Sequence, residues 1–93
     1  MKYKLEFTKS FQKGLKKAEK RGLELGRLKE VVEKLQQGEA LEEKYRDHKL
    51  KGNKADYREC HIQPDWLLIY KVDNNVLILT LVATGTHSEL LGI

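Results

Sequence analysis

The chain's single proline, Pro64, sits between two runs rich in β-branched, aromatic and aliphatic residues, at 57–63 and 66–72. Proline cannot donate to a sheet ladder, so Gln63-Pro64-Asp65 reads as a turn joining two antiparallel strands. A hairpin needs further strands or helices to be stable in water, and the other segments must provide that cover. The turn also carries polar chemistry. His61, Asp65 and the only tryptophan, Trp66, fall within six residues, at strand ends where a rigid support presents side chains outward.

The flanking segments read as an α+β domain. Residues 2–7 alternate as a half-buried strand with Tyr3, Leu5 and Phe7 inward. Thr8 is the expected N-cap of a helix whose buried stripe is Phe11, Leu15 and Ala18, ending at Gly22. A second helix is expected from about 23–26 to Gln37, with Leu25, Leu28, Val31, Val32 and Leu35 as its stripe and Gly38 at the stop. Residues 39–54 lose their period and read as a loop into a short strand. The central hairpin follows, then a tight turn at Asp73-Asn74-Asn75 and a last strand over 76–82. In the tail, Thr86 or Ser88 can start one helical turn. The expectation is two N-terminal helices on one face of a small antiparallel sheet, with the other face left available.

At 93 residues the chain has material for one domain (1–93) and one thin core. With 40% hydrophobic and 34% charged residues, and only short apolar runs, it reads as neither membrane-spanning nor disordered. The amino terminus lacks an apolar signal core and there is one cysteine, which together suggest a reducing cytoplasm. Cys60 reads as a buried thiol on the sheet face opposite His61. The formal charge of +4 leans toward an anionic partner. Lysines crowd the first third, and Lys44, Arg46, Lys49, Lys51, Lys54 and Arg58 precede the His61 corner.

All three histidines, His48, His61 and His87, lie in polar, turn-adjacent segments and not on an apolar stripe. Histidine titrates near neutrality, so a set of them on a basic surface suits proton transfer on a phosphate ester. Cleavage of RNA through its own 2′-hydroxyl needs a group to take that proton, another to protonate the leaving 5′ oxygen, and cations for the charge on phosphorus. Trp66 is a candidate for base stacking or for the core. Asp65 is a candidate to orient a histidine or to cap the turn, and Arg58, Lys51 and Lys54 are candidate phosphate clamps. A zinc site from the three histidines and Asp65 is the competing reading, weakened by the absence of any Cys-x-x-Cys or helical His-x-x-x-His.

Three segments, Asp47-His48-Lys49-Leu50-Lys51-Gly52, Tyr57 through Tyr70, and Thr84-Gly85-Thr86-His87-Ser88-Glu89-Leu90, resemble the YafQ branch of the RelE toxin superfamily across nearly the whole chain. The resemblance implies a bacterial type II toxin: a metal-independent endoribonuclease, without a cofactor, that enters the ribosomal A site and cuts the messenger. It places family motif positions on His48, His61, Asp65, Trp66 and His87, with His87 the candidate acid and His48 or Asp65 the candidate base. It also implies a cognate antitoxin of the RelB/DinJ kind, whose acidic segment wraps the toxin. The toxin alone is not expected to read DNA sequence or to bind membrane.

Two positions depart from the pattern. Relatives usually carry arginine where this chain has Ala83 and an aromatic where it has Leu91, both RNA-facing positions by the resemblance, so weakened cleavage is expected. Two alternatives stay open: a ParE-like, non-enzymatic toxin acting on a protein such as gyrase, and an RNA-binding module without toxicity.

Overall fold

The computed structural model describes residues 2–52 and 56–91. The elements run β1 (Lys4–Phe7), α1 (Lys9–Lys20), α2 (Leu25–Gln36), a 3-10 turn at Glu43–Tyr45, β2 (His48–Lys49), β3 (Arg58–Gln63), β4 (Trp66–Asp73), β5 (Ile78–Gly85) and α3 (His87–Leu91). They form one five-stranded sheet in the order β1-β5-β4-β3-β2. None of the described helices is long and apolar enough to cross a membrane.

Local chemistry sets the helix ends. The Thr8 hydroxyl accepts the Phe11 N–H at 3.0 Å, starting α1 as expected of an N-cap. Gly22 and Gly38, with φ of +77° and +81°, end α1 and α2 in the left-handed region. Phe11 and Ala18 from α1, with Leu28, Val31, Val32 and Leu35 from α2, pack against Cys60, Ile62, Leu68, Tyr70, Leu79 and Leu81 of the sheet. Both helices therefore cover one face of the sheet. Gly14 allows that approach, because a Cβ on it would come 2.0 Å from the Thr84 carbonyl oxygen. Burial pushes the Cys60 thiol up to about 12, which keeps it protonated and unreactive.

The structure differs from the sequence expectation at three places. β1 pairs with β5 in parallel, making the sheet mixed, because α1 and α2 carry the chain from β1 at one edge to β2 at the other, and the antiparallel steps β2-β3-β4-β5 bring it back beside β1. Phe7 is 52% exposed and leans on Phe11 at 6.2 Å between ring centroids, since β1 is an edge strand already turning toward Thr8. The last strand begins at Ile78 and not at Val76, and it runs on to Gly85. Asp73 does cap the preceding turn, its Oδ1 accepting the Asn75 N–H at 2.9 Å, but the positive φ falls on Leu77.

Candidate active site

Pairing across the sheet assigns the open face. His48 pairs with Glu59, Glu59 with Ile69, and Ile69 with Ala83, so these four side chains form one row over four strands on the face away from the helices. The next row joins His61, Leu67 and Gly85. Since β5 ends at Gly85, α3 begins beside His61 and delivers His87 to the same corner. His61 lies between the other two imidazoles, its ring centroid 6.4 Å from that of His48 and 5.3 Å from that of His87. Three histidines from β2, β3 and α3 thus converge on one surface.

Hydrogen bonds orient the outer two rings. The Nδ1 of His48 lies 2.6 Å from the Arg46 carbonyl, which can only accept, so Nδ1 carries the proton and Nε2 of the neutral ring is left as a base. The side chain is half exposed. The Nδ1 of His87 lies 2.7 Å from Oδ1 of Asp65, and the same oxygen accepts the His87 backbone N–H at 3.0 Å. Those two bonds, the backbone one foremost, hold the Asp65 carboxyl below the usual range. An ionised Asp65 can only accept, which places the His87 proton on Nδ1 and directs Nε2 outward. In its hydrogen bonding Asp65 behaves as an orienting group.

α3 is fixed by a reciprocal cap and an ion pair. The Glu89 N–H donates to the Thr86 hydroxyl at 3.1 Å, and the Thr86 N–H donates to Glu89 Oε1 at 3.0 Å. Arg21, the residue that ends α1, grips the same carboxylate with both terminal nitrogens, at 3.0 and 2.8 Å. The Arg21 guanidinium and the Thr86 N–H together hold Glu89 down at about 2. His87 is therefore mounted on a turn tied to α1.

Sequence reasoning missed Glu59. It is 4% exposed, its Oε1 lies 3.6 Å from His48 Nε2 and 3.7 Å from His61 Nε2, and its Oε2 has no hydrogen-bond partner among the described residues. These separations are too long for hydrogen bonds and place a buried carboxyl group between two imidazoles. Counting back two residues from His61 puts Glu59 on the histidine face; what the sequence hides is its burial.

Several expected site residues stand elsewhere. Trp66 is 2% exposed and belongs to the core on the helix side, its Nε1 donating to the Thr84 hydroxyl at 3.0 Å, while that hydroxyl donates to the Leu67 carbonyl at 2.6 Å. Its faces are spent on packing, so base stacking is corrected to a structural role. Arg58 points to the same helix side, where its Nε donates to Asp47 and to the Tyr70 hydroxyl, both at 3.3 Å, and Tyr70 donates to Asp47 at 2.5 Å. It closes a polar triad at the sheet end. Lys51 is exposed beyond β2, and Lys54 lies outside the described residues. Ala83 is buried in the row that begins with His48, and Leu91 is 37% exposed on α3.

A family profile described as the bacterial toxin of a type II toxin-antitoxin system, YafQ, matches residues 3–92. The chain is 36% identical over 89 residues to the mRNA interferase toxin YafQ of Escherichia coli K12, covering 95% of each. It superposes with a TM-score of 0.89 on the toxin in an Escherichia coli DinJ-YafQ toxin-antitoxin complex, at 34% identity over 99% of this chain and 100% of that one. A metal-bound toxin from Helicobacter pylori is 44% identical over 95% of this chain and 98% of its own, with a TM-score of 0.89.

Proposed function

Because the chain belongs to the YafQ family of type II toxins, endoribonucleases of the mRNA interferase kind, we propose that it cuts messenger in the ribosomal A site with its three histidines as the reacting set. The observation that carries this reading is the convergence of His48, His61 and His87 on the helix-free face, with Asp65 gripping His87.

In the proposed reaction His48 Nε2 takes the proton from the 2′-hydroxyl. The 2′ oxygen bonds to phosphorus, the bond from phosphorus to the 5′ oxygen breaks, and His87 Nε2 protonates the departing oxygen. The products are a 2′,3′-cyclic phosphate and a 5′-hydroxyl. Glu59 stabilises the imidazolium formed at His48, and Asp65 holds the one from which His87 donates. His61, between them, is placed to donate to the phosphate oxygens as charge builds.

A cognate antitoxin is the other expected partner, given the DinJ complex of the Escherichia coli relative. An acidic segment lying across the basic surface suits the +4 charge of this chain.

The test uses programmed ribosomes and end-group mapping of the message. The parent is expected to leave 2′,3′-cyclic phosphate and 5′-hydroxyl ends, and His87→Ala to cut at least about a hundredfold more slowly with an unchanged melting temperature. Intact message beside inhibited gyrase would show the ParE-like alternative to be right.

A further inference from the structure

Resting on the nuclease reading, we infer that Arg46 is the cation of a phosphate subsite, holding the message backbone beside the scissile bond in the cleft between α2, the 3-10 turn and the end of β3. The cleft encloses about 570 Å³ and opens onto His61. Its charged lining is Arg27, Lys44 and Arg46 against Glu30 and Glu42. Three of these five have a near neighbour. Glu42 lies 3.5 Å from Lys34, Arg27 lies 3.5 Å from Glu24, and Lys44 sits over the Tyr45 ring at 5.2 Å. No ion pair or side-chain hydrogen bond among the described residues engages the Arg46 guanidinium.

The backbone of Arg46 carries the second observation. Its φ is +49°, one of two left-handed conformations at a non-glycine among the described residues. Glycine would adopt that conformation at no steric cost, whereas a residue with a Cβ is disfavoured there. The strain persists because the residue is pinned at both ends: its N–H donates to the Glu43 carbonyl at 2.9 Å, and its own carbonyl receives Nδ1–H of His48 at 2.6 Å. A strained residue that keeps a large unengaged cation, while fixing the tautomer of a reacting histidine, is the pattern expected of a functional position. Guanidinium is also the side chain whose planar fork fits a phosphodiester. Arg46 thus joins two tasks, its carbonyl setting the base and its side chain holding the adjoining phosphate.

Arg46→Gly separates these tasks, because glycine keeps the left-handed backbone, and hence the carbonyl that holds His48, while removing the cation. Two quantities are read on programmed ribosomes. One is the single-turnover cleavage rate at saturating toxin. The other is the salt dependence of binding when the codon nucleotide is 2′-deoxy and cannot be cut. The expected result for Arg46→Gly is a rate at least about tenfold lower, a salt slope smaller by about one, and a melting temperature no lower than the parent's; Arg46→Lys recovers the slope and only part of the rate. Cleavage within twofold of the parent with an unchanged slope would overturn the inference and leave the nuclease reading standing. A parent that cuts no message, with a slope that still falls in Arg46→Gly, would overturn the nuclease reading and leave the phosphate subsite.

Discussion

At the scale of single residues, position 83 bears most directly on the proposed cleavage. Ala83 occupies the row of His48 and Glu59, two strands or about 10 Å from Glu59. An extended arginine from that place reaches over Ile69 toward the Glu59 carboxylate, whose Oε2 has no hydrogen-bond partner among the described residues, and adds a cation to that face. Ala83→Arg is therefore expected to raise the single-turnover cleavage rate at least about tenfold, toward what a well-placed transition-state donor supplies; a rate unchanged from the parent would show that charge at this position is irrelevant. The histidine set was legible in the sequence because each ring stood in a polar segment beside an element end, where side chains escape the core. Trp66 was not. The register shifts between His61 and Gln63, so the parity of faces counted along β3 does not carry across the turn, and the indole lands on the helix side. Glu59 was equally opaque, since alternation gives its face but not the cover that buries it.

At the scale of elements, α3 is the part whose stability bears most directly on catalysis, because five residues cannot hold a helix by their own propensity. Its support is Glu89, held at about 2 by Arg21 and Thr86. A carboxyl depressed in the folded state adds stability that is fully present above its ordinary range and is lost as pH falls toward the depressed value. Glu89→Gln should thus melt about 2–5 °C below the parent at pH 7. The difference should shrink between about pH 4.5 and 2 and vanish near pH 2, in thermal melts followed by circular dichroism. Parallel curves across that range would mean that the Arg21 grip contributes nothing. The Thr86-x-x-Glu89 spacing of this cap is readable from sequence, as were the Thr8 cap and both helix stripes. The parallel pairing of β1 was harder, because strand order is decided by a crossover spanning both helices and not by any local pattern. The limits of β5 were misjudged because Thr84 and Gly85 look like tail residues, yet the Thr84 hydroxyl is satisfied inside the fold by Trp66 and Leu67.

At the scale of the whole molecule, one sheet divides two tasks between its faces. The helix side holds the core, including Trp66 and the Asp47–Arg58–Tyr70 triad, and the open side gathers His48, His61 and His87 from segments up to 39 positions apart in the chain. The excess of basic over acidic residues makes an anionic surface, whether ribosome or antitoxin, the natural thing to meet that open side. The central claim is that His87, held by Asp65, protonates the departing 5′ oxygen. It is tested most directly by comparing the parent with His87→Ala on two messages in programmed ribosomes, one normal and one with sulfur in place of the bridging 5′ oxygen at the cut. A thiolate leaves without needing a proton. His87→Ala should be at least about a hundredfold slow on the normal message and within about threefold of the parent on the sulfur-substituted one, whereas an equal deficit on both would contradict the assignment.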